Sequence, residues 1–262
     1  MPDPDGLYVY ALVPSSRAGG FGTGIDGAPL LAVEVGDVAA VVHEHRGGPS
    51  GGDDETLRRR VLEHTEVVER LWAAQHAVLP MTFDVVVAGS PDATARDRLE
   101  TWLGSIEDAA RDGLERIGDR VELRVDLALD LHQAAAADAE VQILQARIGA
   151  ASTGVARLLR KRLDLLEREV TEALADRRYP DLRSRLAGAS AEISENPRAV
   201  AEGGEVLVLS AALLVDEDAV DRVGHVLAGM RDEEPALRVR FLGPWPPYSF
   251  VALRPAAVGS PG

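Results

Sequence analysis

Cysteine is absent from this chain of 262 residues, so disulfides and thiolate metal sites are excluded and the redox compartment is left open. Lysine is nearly absent too, Lys161 being the single one. The formal net charge is −15, and such a surface repels nucleic acid and anionic membranes, whose binding depends on clustered Lys and Arg. No apolar run approaches the roughly 20 residues that cross a bilayer, so membrane insertion is not expected either. The opening MPDPDGLYVY carries neither the basic nor the apolar region of a secretion signal. A cytoplasmic protein is the expectation. The arginine bias fits a GC-rich genome, and the acidity fits a high-salt cytoplasm, where excess surface charge preserves solubility.

What is present is a globular composition, 46% apolar, in a chain long enough for one large domain or two smaller ones. LYVYALV (7–13) reads as a strand, residues 19–27 as a mobile loop, and 30–35 with 38–45 as a hairpin turning at Gly36-Asp37. GGPSGG (47–52) is a flexible break, after which Asp53 or Asp54 caps a helix with Leu57, Val61, Val68 and Trp72 on one face. VLPMTFDVVV (78–87) reads as one buried strand. Ser90-Pro91 is a candidate helix start, and behind it Leu99, Trp102, Leu103, Ile106, Ala110, Leu114 and Ile117 form a stripe ending at Gly118. VELRVDLAL (121–129) alternates as a half-buried strand.

From about 134 to 200 the chain turns charged and helical. Val141, Leu144, Ile148, Val155, Leu158 and Leu165 follow a near-heptad seam, later shifting to Leu159, Leu163, Leu166, Val170 and Leu174. Gly149 and Gly154 weaken the helix, and Tyr179-Pro180 is expected to end it. Strands at 205–215, 237–242 and 248–253 follow, with a helix after Asp216 carrying Val220, Val223, Leu227 and Met230. The fold class expected is α+β in two domains. Residues 1–77 form a small N-terminal α+β unit. Residues 78–253 form a ferredoxin-like domain, β-α-β then β-α-β, interrupted by the helical insertion. Residues 254–262 read as a flexible tail.

Chemistry-bearing motifs are scarce. Gly22-Thr-Gly24-Ile-Asp-Gly27 spells G-x-G-x-x-G, yet Pro29 and a strand-like run follow where a phosphate-binding motif needs a helix to begin. His43 and His45 share a strand face, but no other histidine completes a metal site; exposed or edge histidines are the simpler reading. His64 and His76 lie about 120° apart on one helix, and His132 and His225 are isolated. No paired carboxylates, nucleophile elbow or H-E-x-x-H stand out, so neither enzymatic activity nor a cofactor is expected. Arg157, Arg160, Lys161, Arg162 and Arg168 alternate with Asp164, Glu167, Glu169 and Glu172. They read as a solvated face with (i, i+4) ion pairs, or as a surface for an acidic partner.

Aromatic residues number eleven, and Phe241, Trp245, Tyr248 and Phe250 fall within FLGPWPPYSF. Either this stretch plugs a core, or its rigid prolines present Trp245, Pro246, Pro247, Tyr248 and Phe250 to a partner. Three segments, Leu7–Val13, Val78–Phe83 and Gly243–Val251, resemble the gas vesicle proteins F and L. Where that family's middle motif carries Arg-Phe-Gly, this chain has Thr82-Phe83-Asp84. The resemblance implies a two-domain α+β fold with a ferredoxin-like C-terminal part. It also implies a non-enzymatic minor component or assembly factor of gas vesicles, whose partners are the major shell protein and other accessory proteins. The rival expectation is a small-molecule-sensing ferredoxin-like regulatory domain.

Overall fold

The computed structural model describes residues 6–17, 20–46, 52–251 and 253; the expected tail at 254–262 and most of the break at 47–52 lie outside them. Helix and sheet are mixed, and the chain divides into two compact units. Residues up to Val121, with those from Trp245 onward, form the first; Glu122–Pro244 form the second.

The first unit is built on β1 (Gly6–Pro14), whose residues Leu7–Val13 are buried throughout. It pairs antiparallel with β3 (Val38–His45), which pairs with β2 (Leu31–Val35) across the Gly36-Asp37 turn. Gly36 there has φ +55, the left-handed conformation such turns require. On its other side β1 pairs with two short strands, β4 (Leu79–Pro80) and β5 (Val86–Ala88). Helix α1 (Asp54–Gln75) starts at the Asp53 cap, whose carboxylate accepts from Thr56 N–H at 2.8 Å. Helix α2 (Ala95–Ile117) buries Leu99, Leu103, Ala110, Leu114 and Ile117. Both helices contact β1.

In the second unit a four-stranded sheet has the order β7-β8-β6-β9. Its strands are β6 (Arg120–Asp130), β7 (Glu192–Glu195), β8 (Glu205–Asp216) and β9 (Leu237–Trp245). Between β6 and β7 run α3 (Leu131–Ala135), α4 (Ala139–Ala150) and α5 (Thr153–Ala189); α6 (Val220–Glu233) links β8 to β9. Leu123, Leu127, Leu129, Leu186 and Leu213 are among its fully buried side chains.

Several expectations are corrected. Residues 78–87 are not one strand: Asp84 takes φ +69 between β4 and β5, and both pair with β1. They therefore extend the N-terminal sheet, and the chain divides at Val121/Glu122, not after residue 77. Helix α2 is capped by Thr94, whose hydroxyl and Asp97 form a reciprocal capping box, so Ser90-Pro91 is not its cap. Helix α1 buries His64, Val67, Val68, Leu71 and Gln75, while Leu57 and Val61 are exposed. Helix α5 passes through the exposed Pro180 to Ala189, since Leu182, Leu186 and Ala189 are buried beyond it. Their burial outweighs the helix-breaking cost of about 3 kcal/mol. The strand β7 was not foreseen, and residues 248–250 form a 3-10 turn where a strand was expected.

The two faces of α5 differ in energy accordingly. Leu186→Ala is expected to cost about 2–5 kcal/mol by urea denaturation, and Leu165→Ala less than about 0.5 kcal/mol. Equal losses at the two positions would contradict the placement of this helix.

Candidate functional site: a buried tyrosine–histidine core and an exposed aromatic strand

The Tyr-x-Tyr alternation in β1 puts Tyr8 and Tyr10 into one core cluster with Val67, Val68 and Leu71 of α1. Burying two phenols requires partners for their hydroxyls. The Nε2 of His64 lies 3.1 Å from the Met81 carbonyl. A carbonyl only accepts, so Nε2 carries the ring proton and Nδ1 accepts from the Tyr8 hydroxyl at 2.9 Å. Tyr8 in turn accepts from the Asp84 N–H at 2.9 Å. Tyr10 is held similarly: its hydroxyl accepts from Ile25 N–H at 2.8 Å and is hydrogen-bonded to His43 Nδ1 at 2.9 Å. The rings interleave, Tyr8 stacked on His43 and Tyr10 on His64, with Phe83 edge-on to Tyr8.

Burial pushes both histidines down to about 4 and Tyr10 up to about 12, and raises Tyr8 further. All four are neutral near pH 7. In this neutral network each phenol is held between a backbone N–H and a histidine ring. His43 is thus buried, not an exposed or edge histidine, and its partner is a phenol. Among the described residues no cluster of three or more His, Asp or Glu is placed to hold a metal.

The G-x-G-x-x-G segment serves the same network. A Cβ at Gly24 would collide with the Tyr10 hydroxyl. The loop is pinned where mobility was expected: Asp26 is bound by Arg59 and Arg60 of α1, and its N–H donates to Glu63 at 2.9 Å. The guanidiniums hold the Asp26 carboxyl below its usual range, the Arg59 hydrogen bond contributing most.

The aromatic-proline stretch divides in two. Pro246, Pro247 and Phe250 are buried, and Tyr248 packs against the tyrosine–histidine cluster. The Phe250 carbonyl accepts from Arg116 of α2 at 2.7 Å. Trp245 is 40% exposed, with Phe241 at 37% and Leu242 at 59%. Phe241 and Trp245 share one strand face with Gly243 between them. They stand on β9, an outer strand of its sheet. The five residues singled out in sequence are therefore not one surface: Pro246, Pro247, Tyr248 and Phe250 anchor the chain, and Trp245 faces solvent. The Tyr8–His64 and Tyr10–His43 pairs were missed. Alternate tyrosines in a buried strand, and a lone histidine on a helix face, were the signals for them.

Residues 7–13, 78–83 and 243–251 thus meet around one aromatic core. Tyr10 O accepts from Met81 N–H at 2.9 Å, Phe83 touches Tyr8, and Tyr248 joins the same cluster. Fold and site define an α+β protein whose characteristic residues build a core and an exposed aromatic strand. The family of gas vesicle synthesis proteins GvpL/GvpF matches residues 6–252. The chain belongs to that family, whose members take part in gas vesicle formation. It is 30% identical to gas vesicle protein L1 and 28% to gas vesicle protein L2 of Halobacterium salinarum, covering 94% of this chain in both. The alignments span 90% and 91% of those relatives. Gas vesicle protein L of Haloferax mediterranei is 27% identical over 87% of this chain and 72% of its own. Two crystal structures share the fold. GvpF from Anabaena has TM-score 0.68 at 15% identity, covering 95% of this chain and 99% of its own. GvpF from Microcystis aeruginosa has 0.66 at 16%, covering 95% and 100%. No described helix is long and apolar enough to cross a membrane.

Two predictions follow from this geometry. His43 and His64 titrate near 4 in the fold and near 6.5 when unfolded. Between those values the unfolded chain binds the extra protons, so stability falls as pH drops from about 6.5 to about 4. Urea titrations should show a slope of up to about 1.4 kcal/mol per pH unit for each histidine, reduced in His64→Gln; a flat wild-type profile would refute it. In thermal melts, Phe250→Ala should cost about 3–5 kcal/mol and Trp245→Ser less than about 0.5 kcal/mol. Reversed costs would show that the anchor and the exposed residue are misassigned.

Proposed function

We propose that this chain is a non-enzymatic minor component or assembly factor of gas vesicles that acts in the cytoplasm and at the vesicle. In this reading it binds the major shell protein and other gas vesicle accessory proteins during nucleation and growth. The observation that carries the proposal is β9: Phe241, Leu242 and Trp245 are exposed together along an outer strand of its sheet. An open strand edge is a template for another chain, and exposed aromatics supply rigid contact area at low entropic cost. Shell subunits that are apolar and strand-rich would be held in solution by such an edge, while the surrounding acidity opposes indiscriminate aggregation.

The second unit is best described as ferredoxin-like. Its elements run β-α-β-β-α-β, with α3, α4 and α5 forming the first crossover and α6 the second. In this assignment β6 takes the place expected for residues 78–87, and the helices expected as an insertion belong to the unit itself. Pro246, Pro247, Tyr248 and Phe250 anchor the chain within the first unit, and Trp245 is the contact residue.

Pull-down of purified shell protein by the intact chain, at low and at multimolar salt, tests this reading. Phe241→Ser/Trp245→Ser should weaken capture by about tenfold or more while leaving circular dichroism unchanged. Undiminished capture by that variant would exclude β9 as the contact. Absence of capture by the intact chain at both salts would exclude direct shell binding.

A further inference from the structure

Helix α5 changes character along its length. In its second half the arginines are neutralised within the fold: Arg178 pairs with Glu234, Arg183 with Glu195 and Arg185 with Glu233. In its first half Arg157, Arg160, Lys161, Arg162 and Arg168 make no ion pair with any described residue. The (i, i+4) pairs expected there with Asp164, Glu169 and Glu172 do not form, and Glu167 is buried against His132 at 2.8 Å. Five unpaired cations thus gather on about four turns of a chain whose net charge is −15.

The same turns expose apolar side chains that the fold does not cover. Leu158 and Leu165 are each 70% exposed and Val155 is 50% exposed. Leu158 and Leu165 are seven residues apart, on the face opposite the buried Ala156 and Glu167. Assigning Val155 to heptad position a makes Leu158 and Leu165 successive d positions, with Arg162 at the intervening a. Lys161 and Arg168 then occupy g, where charges select the partner in a helix pair. The e positions, Leu159 and Leu166, are half-buried toward the helix's own side. The result is a narrow apolar seam with one cationic flank, ending where Glu169 and Glu172 begin.

We propose that the Val155–Arg168 face of α5 is a docking surface for an acidic amphipathic helix of another protein. Leucines of that helix cover Leu158 and Leu165, and its carboxylates lie against Lys161, Arg162 and Arg168. Charge complementarity selects this occupant. A second copy packed on the same face about a two-fold axis would oppose cation to cation. An anionic lipid surface is disfavoured because the seam carries no aromatic and the molecule as a whole is strongly acidic. The surface is independent of β9, so either can fail without the other. Multimolar salt weakens the flanking charge contacts and leaves the leucine seam.

The test uses the full chain and a fluorescent peptide of about four heptads, with Leu at a and d and Glu at e and g. A control peptide has Lys in place of each Glu. Anisotropy should show saturable binding of the acidic peptide and little of the basic one at low salt. Hydrogen-exchange protection should rise on Val155–Arg168 and not elsewhere on α5. Leu158→Ser/Leu165→Ser should weaken binding about tenfold or more at any salt. Lys161→Glu/Arg162→Glu/Arg168→Glu should do so at low salt and less at 2 M or so. All the substituted side chains flank or form the seam, and all are exposed, so thermal midpoints should be unchanged. Equal binding of the two peptides, unchanged binding by both variants, or no binding would overturn the proposal. Binding confined to phosphatidylglycerol vesicles would replace the helix with a membrane surface. A dimer in sedimentation that the leucine variant dissolves would replace it with a second copy.

Discussion

Two phenolic hydroxyls, on Tyr8 and Tyr10, organise the N-terminal unit. Each is buried in the central strand, and each must give and receive a hydrogen bond or cost the fold the price of a stranded polar group. The four partners come from four places: His64 on α1, the Asp84 amide beyond β4, the Ile25 amide of the glycine loop, and His43 on β3. Satisfying two residues therefore fixes helix, loop and sheet against one another. The left-handed Asp84 and the requirement for glycine at position 24 lie at these contacts, and burial in the same core depresses the basicity of both histidines.

The C-terminal stretch is drawn into the same core. Tyr248 closes on the cluster and Arg116 holds the Phe250 carbonyl, so the chain after Trp245 is fastened at a defined position. The three segments that resemble the gas vesicle F and L proteins are thus one packed assembly, although up to about 240 residues of chain separate them. Thr82-Phe83-Asp84, where Arg-Phe-Gly is expected, sits at the heart of it: the left-handed position that glycine favours is held here by Asp84, whose amide is engaged by Tyr8.

Legibility in the sequence followed the range of the forces involved. The Gly36-Asp37 hairpin, the Asp53 cap and the α2 stripe are set by neighbours a few residues away, and each was readable. The break inside 78–87 was not, because it answers to a tyrosine 76 residues earlier in the chain. Pro180 misled for a related reason: local propensity ends the helix, and the burial of Leu182 and Leu186 continues it. Assigning β4 and β5 to the wrong sheet followed from an apolar run whose pattern says buried without saying against what. At the candidate site, composition singled out residues 241–250, yet only tertiary contacts separate the exposed Phe241 and Trp245 from the anchored Pro246, Pro247, Tyr248 and Phe250.

That separation is the centre of the functional account, in which the exposed residues of an outer strand meet a partner. Hydrogen–deuterium exchange of the full chain, with and without the major gas vesicle shell protein, addresses it most directly. The account predicts new protection over Phe241–Trp245, with the already buried Leu7–Val13 unchanged. Protection of other segments while Phe241–Trp245 exchanges as in the free protein would contradict it.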